Sequence, residues 1–264
     1  MPLEWETHKI QTPEGEVGVT HWKKHNPREL LAALKTPEWV IFGTVPALTI
    51  HQFGRHQLAV RNCAVGGVSS DVNAYFPPTN IFNRLQTLAA SQRALVEMPV
   101  AFIEQPDGRR LLVTLWKKDS RPLNSYLSDS TIPRRDRIRA SFEFVRQLAK
   151  LHALGFVHTH PGTRNAVRNV NGSVQLIDPT LLRETHHMVT PERDLRIAIE
   201  AINSLLRVDE FPQREVRNFE KALREVYKHT LVHPDTIVRH VPKLTKWQRV
   251  KRLARKLKGA KCGA

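Results

Sequence analysis

Cysteine is scarce: Cys63 and Cys262 are the two cysteines among 264 residues, and they lie far apart. That argues against a disulfide framework and against a zinc site built on a cysteine cluster, and it fits a reducing compartment. Long apolar runs are missing too. No stretch nears the roughly 20 residues of a membrane-spanning helix. The opening MPLEWETHKI lacks the basic-then-apolar pattern of a secretory leader. The expected location is therefore cytoplasmic, either free or peripheral at the inner membrane face. No internal repeat or low-complexity segment is visible.

Acidic residues are the other deficit. The chain carries 41 Lys and Arg against 25 Asp and Glu, a net charge of +16. Such a surface attracts phosphates, nucleic acid or an anionic membrane, which bears on partners and not on fold. The deficit is local as well. Val72 to Val96 holds no acid, and neither does the C-terminal KLTKWQRVKRLARKLKGAK. In that last stretch Trp247, Val250, Leu253 and Leu257 make one apolar stripe, with Lys251, Arg252, Arg255, Lys256 and Lys258 mostly opposite. A helix of this kind can lie on anionic lipid, contact RNA phosphates, or simply pack on the protein with its charges solvated.

What is present reads as strands first and helices later. Residues 6–22 flank Pro-Glu-Gly-Glu and predict a hairpin. NPRELLAALKT predicts a short helix with Asn26 as N-cap, Pro27 at its first position and Glu29 completing a capping-box-like pattern. EWVIFGTV, ALTIHQF and HQLAVRNCAV are β-branched and aromatic, so strands. A helix is expected after Pro78, and a hairpin around Pro-Asp-Gly between VAFIEQ and RRLLVTLW. Beyond Trp116 the texture turns helical. Residues 134–155 form a long amphipathic helix, with Ile138, Phe142, Val145, Leu148 and His152 on one stripe and Gly155 as its stop. Pro191 to about His233 is mostly helical. The expected division is an N-terminal hairpin and helix (1–36), a strand-rich lobe (37–116), a helical lobe (117–235) and a basic tail (236–264).

GFVHTHPGTRNAVRNVNGSVQLID, residues 155–178, carries the chemistry. A short strand leads into a loop holding His158, His160 and Asn165. A hairpin with an Asn-Gly turn follows and ends on Asp178. A loop Asn and a strand-end Asp offer hard oxygens to a Mg²⁺ that bridges nucleotide phosphates. His-x-His alone also resembles the zinc strand of amidohydrolases. That strand opens a barrel of about 250 residues, and only about 100 residues follow His160.

Leu148, Leu151, His152, Gly155, His158, Asn165 and the LID ending at Asp178 together resemble the catalytic segment of the protein-kinase-like superfamily. The texture is closest to the lipopolysaccharide-core (Kdo/heptose) kinases, the RIO kinases and the small tRNA-modification-complex kinase. The resemblance covers roughly residues 40 to 207. It implies an α+β, two-lobe kinase-like fold with a small antiparallel-sheet N-lobe and a mainly helical C-lobe. It implies ATP with Mg²⁺ or Mn²⁺ in an interlobe cleft, near Arg61 and a hinge at Val113 to Lys117, with Val113 and Leu115 lining it. Asn165 and Asp178 stand at the metal-ligand positions. Asp194 either fixes the catalytic loop or begins a helix as a first-turn acid. His152 and His158 are expected to pack and orient the loop.

Four features depart from the kinase pattern. His160 stands where the catalytic Asp belongs. Imidazole, with an ordinary pKa of about 6.5, can act as a base, but near Mg²⁺ it is at best a weaker acceptor than a carboxylate. Arg61 replaces the phosphate-holding Lys, and the two are not interchangeable. The helix after it brings no Glu to pair with Arg61, and no Gly-rich phosphate loop precedes it. The expected activity is that of a pseudokinase or weakly active kinase. The alternatives are an active core-sugar or protein phosphotransferase, and an RNA- or membrane-surface-binding module on a kinase-like scaffold.

Overall fold

The computed structural model describes residues 4–37, 39–41, 48–62, 78–91, 95–178, 182–185, 190–206 and 213–228. In chain order these form β1 (Trp5–Thr12), β2 (Gly15–Trp22), α1 (Pro27–Ala33), β3 (Trp39–Ile41), β4 (Leu48–Phe53), β5 (His56–Asn62) and α2 (Pro78–Ser91). Then come β6 (Pro99–Glu104), β7 (Arg110–Trp116), β8 (Arg121–Pro122), α3 (Leu123–Ser128), α4 (Arg134–Ala153) and β9 (Phe156–Val157). The last elements are β10 (Ala166–Arg168), β11 (Val174–Leu176), β12 (Arg183–Glu184), α5 (Pro191–Leu206) and α6 (Gln213–Tyr227). The expected α+β class holds. The C-terminal basic stretch, residues 38, 42–45, 47 and 63–65 of three expected strands, and the end of the helical stretch near His233 lie outside the described residues.

The chain divides into two compact units, Met1–Leu123 with Arg164–Glu184, and Asn124–Thr163 with Thr185–Ala264. This partition differs from the sequence-based boundaries in two ways. The N-terminal hairpin is no separate domain, because β2 pairs antiparallel with β6. The β10–β11 hairpin, expected in the helical part, groups with the strand-rich unit. A contiguous reading of sequence cannot see a segment that returns.

The first unit is built on a seven-stranded antiparallel sheet in the order β1-β2-β6-β7-β5-β4-β3. Side chains alternate across a strand, and here both faces are covered. One face packs Ile10, Val17, Val19, Leu30, Leu58, Val60, Ile103 and Val113 into a core. The opposite face gathers Leu48, Ile50, Ala59 and Trp116 with Val167 and Ile177 of the β10–β11 segment. α1 closes over the first core through Leu30, which is fully buried. Asn26 caps this helix: its side-chain oxygen accepts from the Arg28 and Glu29 backbone N–H groups. Asn26→Ala is expected to cost about 1 kcal/mol, the usual worth of an N-cap, readable as a lowered denaturant midpoint.

In the second unit α4 packs against α5 and α6. α6 buries Phe219, Leu223 and Tyr227, four residues apart and therefore on one face. Phe142 of α4 meets Phe219 with ring centroids 4.9 Å apart. The buried face of α4 is centred on Phe144, Val145, Leu148, Leu151 and His152. The expected stripe was right at its C-terminal half. Ile138 and Phe142 stay only partly buried. Gly155 ends the helix region with φ +80°, a conformation glycine adopts without a Cβ penalty.

Candidate functional site

β5 carries Arg61 on the same face as Ala59. There the guanidinium meets Glu97 with both terminal nitrogens: Nη1 donates to Oε2 at 2.5 Å and Nη2 to Oε1 at 2.9 Å. Both side chains are buried, at 3% and 2% exposure. Thr114 of β7, opposite Ala59 in the ladder, donates to Glu97 Oε2 at 3.3 Å. Arg61 therefore has a carboxylate partner after all. It comes from beyond α2, one residue past the acid-free stretch. Glu97 is the sole acid between Asp71 and Glu104, the one signal that pointed to it.

The segment before Glu97 is held in place by the second hairpin. Val96 forms a parallel bridge with Leu176. The Leu176 N–H donates to the Leu95 carbonyl at 3.1 Å, and Gln175 Nε2 donates to the Val96 carbonyl at 2.6 Å. In turn the Ile177 N–H donates to the Asn165 carbonyl at 2.9 Å. Asn165 and Asp178 thus sit at the same end of the β10–β11 hairpin, and this end lies beside Glu97.

The electrostatics tie these groups together. Burial pushes the Glu97 carboxyl up, Arg61 and Thr114 pull it back, and the negative charge of Asp178 raises it further. Arg183 is pushed down to about 10 by its own burial and by the charge of Arg84, with Asp178 acting in the opposite sense. Asp178 is half-buried, not sealed in a core. Its φ of +61° is a left-handed conformation, uncommon for a residue that is not glycine. Such conformations cost of order 1–3 kcal/mol and cluster at functional sites.

Val113 and Leu115, the residues expected to line a nucleotide site, pack into the core on the opposite face of the sheet. Period-two alternation puts Thr114 and Trp116 on the Arg61 face instead. The sequence could not fix this phase, because RLLVTLW is apolar at nearly every position.

The second unit organises the loop of His158 and His160. Asp194, in the first turn of α5, is fully buried. It accepts from the His158 backbone N–H at 2.5 Å and lies 3.3 Å from His152 Nε2. His152 Nδ1 is 3.2 Å from the Tyr227 hydroxyl. Asp194 meets both expectations: it is a first-turn acid of α5 and it accepts from the loop backbone at His158. The buried Tyr227 phenol is pushed well up by desolvation, then by the charges of Asp194 and Glu192. Thr159 has φ +63°, a real outlier for a β-branched residue. The His160 N–H returns to the His158 carbonyl at 2.8 Å, and the Gly162 N–H to the His160 carbonyl at 2.7 Å. These tight turns leave the His160 side chain exposed.

No family model matches the chain, and no curated protein matches it. Among the described residues, no helix is long and apolar enough to cross a membrane.

Proposed function

We propose that this chain is a kinase-like protein that binds ATP with Mg²⁺ or Mn²⁺ and transfers phosphate weakly or not at all. The observation that carries the reading is the buried, two-point Arg61–Glu97 pair beside Asp178. In kinases a basic residue on the corresponding strand is held by a glutamate so that it can face the α/β-phosphates. Here an arginine and a glutamate from outside the helix make the same kind of pair.

The donor set at the hairpin end suits a hard divalent cation. An Asn side-chain carbonyl and a half-buried carboxylate are oxygen ligands of the kind Mg²⁺ takes with phosphates. Bound there, the ion would neutralise phosphate charge. Asn165 and Asp178 would hold it, and the buried Arg61–Glu97 pair would support the site from behind without touching the phosphates. His160 occupies the position of the proton-accepting carboxylate. By the resemblance, an imidazole in place of that carboxylate is the weaker proton acceptor, which is why transfer is expected to be poor.

The test is thermal unfolding of the full chain with millimolar ATP and MgCl₂. A ligand at 100 times its Kd stabilises by about 2.7 kcal/mol, so a rise of several degrees is expected in the wild type and none in Asp178→Ala. Absence of any rise in the wild type would remove the nucleotide reading. The partner of the basic C-terminal stretch is proposed to be anionic membrane or RNA, separable by vesicle co-sedimentation and gel shift across salt concentrations.

A further inference from the structure

The edge hairpin β1–β2 brings together Glu6, His8 and His21, none of them used by the nucleotide reading. Glu6 and His8 are two apart on β1 and so share a face. His21 is the direct cross-strand partner of Glu6. Glu6 Oε1 lies 3.3 Å from His8 Nε2 and 3.8 Å from His21 Nε2, and one ligand atom from each residue falls within 4.8 Å of the others. The two imidazoles stack with centroids 5.1 Å apart.

The decisive detail is His21. Its side chain is 0% exposed, and its Nδ1 lies 2.8 Å from the Trp22 carbonyl. A carbonyl only accepts, so Nδ1 carries a proton, and in the neutral ring Nε2 presents a lone pair. That Nε2 is buried and has no hydrogen-bond partner. Leaving a buried polar atom unsatisfied is costly. An imidazole whose far nitrogen is fixed on a carbonyl, with its near nitrogen bare beside a carboxylate and a second imidazole, has the arrangement of a metal ligand oriented by its outer shell.

We propose that Glu6, His8 and His21 bind a borderline divalent cation of the Zn²⁺ class. Two imidazole nitrogens and one carboxylate oxygen form a donor set that zinc accepts. Bonds of roughly 2.0–2.1 Å in a tetrahedron place ligand atoms about 3.4 Å apart. The gaps of 3.3 and 3.8 Å bracket that value. His8 and Glu6 are 44% and 36% exposed, so the ion has an entry path, and the fourth position opens to water. Bound there, it clips the edge strand β1 to β2, beside the stacked Trp5 and Trp22.

The test uses the full chain, stripped with a chelator and titrated with ZnCl₂ in competition with a chromophoric chelator. One equivalent is expected to bind and to raise the unfolding temperature, and MgCl₂ is expected to do neither. Co²⁺ in place of Zn²⁺ should show the visible bands of a low-symmetry four-coordinate site. The chain has 13 histidines, so the variants decide the location. His8→Gln and Glu6→Gln change partly exposed side chains that the fold tolerates. Each should weaken the one-equivalent binding by at least about tenfold, given that even outer-shell losses cost 10–100-fold. His160→Gln and His56→Gln should leave it unchanged. Binding that is absent, or that survives both His8→Gln and Glu6→Gln undiminished, overturns the proposal.

Discussion

Glu97→Ala should destabilise the first unit by about 3–5 kcal/mol, the usual consequence of removing one partner from a buried ion pair. The reason is that the buried Arg61 guanidinium loses the carboxylate it meets at two points. At 2% exposure it cannot turn to water, and two of its donors lose their acceptor. At about 2–4 °C per kcal/mol for a chain of this size, the unfolding temperature falls by roughly 10 °C. The pair is not expected to be a large net stabiliser, since desolvating two charges offsets most of their attraction. The double variant Arg61→Met with Glu97→Leu should therefore recover most of the loss. Equilibrium denaturation of the wild type, Arg61→Met, Glu97→Leu and the double variant closes a cycle that gives the coupling directly. A single-variant cost below about 1 kcal/mol would mean that Arg61 reaches solvent, contrary to its burial.

Asp194→Ala is expected to cost about 3 kcal/mol, because it strips a buried N–H and a buried imidazole of their shared acceptor. The affected groups are the His158 amide and His152 Nε2, and His152 in turn contacts Tyr227. A purely structural carboxylate at a helix start would behave differently. Its loss would cost a few tenths of a kcal/mol to about 1 kcal/mol and would leave the loop untouched. The distinguishing readout is amide hydrogen exchange. In Asp194→Ala the His158 amide should exchange faster than the α4 core amides of the same variant, and Asp194→Asn, which retains an acceptor oxygen, should fall between. Equal acceleration at His158 and in α4 would count against a local anchoring role.

Much of the architecture was legible in the sequence for local physical reasons. The Pro-Glu-Gly-Glu and Pro-Asp-Gly turns mark the β1–β2 and β6–β7 hairpins, because few residues suit those turns. Asn26 marks the start of α1, because its side chain satisfies N–H groups that nothing else reaches. The illegible parts are non-local. Nothing in the chain near Gly18 announces its pairing with Glu104. Nothing near Asn165 shows that its hairpin joins the strand-rich unit. The phase of β7 was hidden because both faces of that strand are covered, so hydrophobicity does not alternate. Glu97 was not legible because the kinase pattern places the partner of Arg61 within the helix, whereas Glu97 follows α2 on a segment that the Val96–Leu176 bridge holds. At the candidate site the residues named from sequence were Arg61, Asn165 and Asp178. Their neighbours Thr114 and Arg183 came from tertiary packing alone, and Glu97 had only its isolation as an acid between Asp71 and Glu104 to mark it.

The measurement that bears most directly on the central claim is a calorimetric titration of the wild-type chain with ATP, run once with MgCl₂ and once with excess EDTA. Saturable one-site binding is expected with the metal, and much weaker binding under chelation. No saturable heat up to millimolar ATP with MgCl₂, or equal binding under chelation, would contradict it.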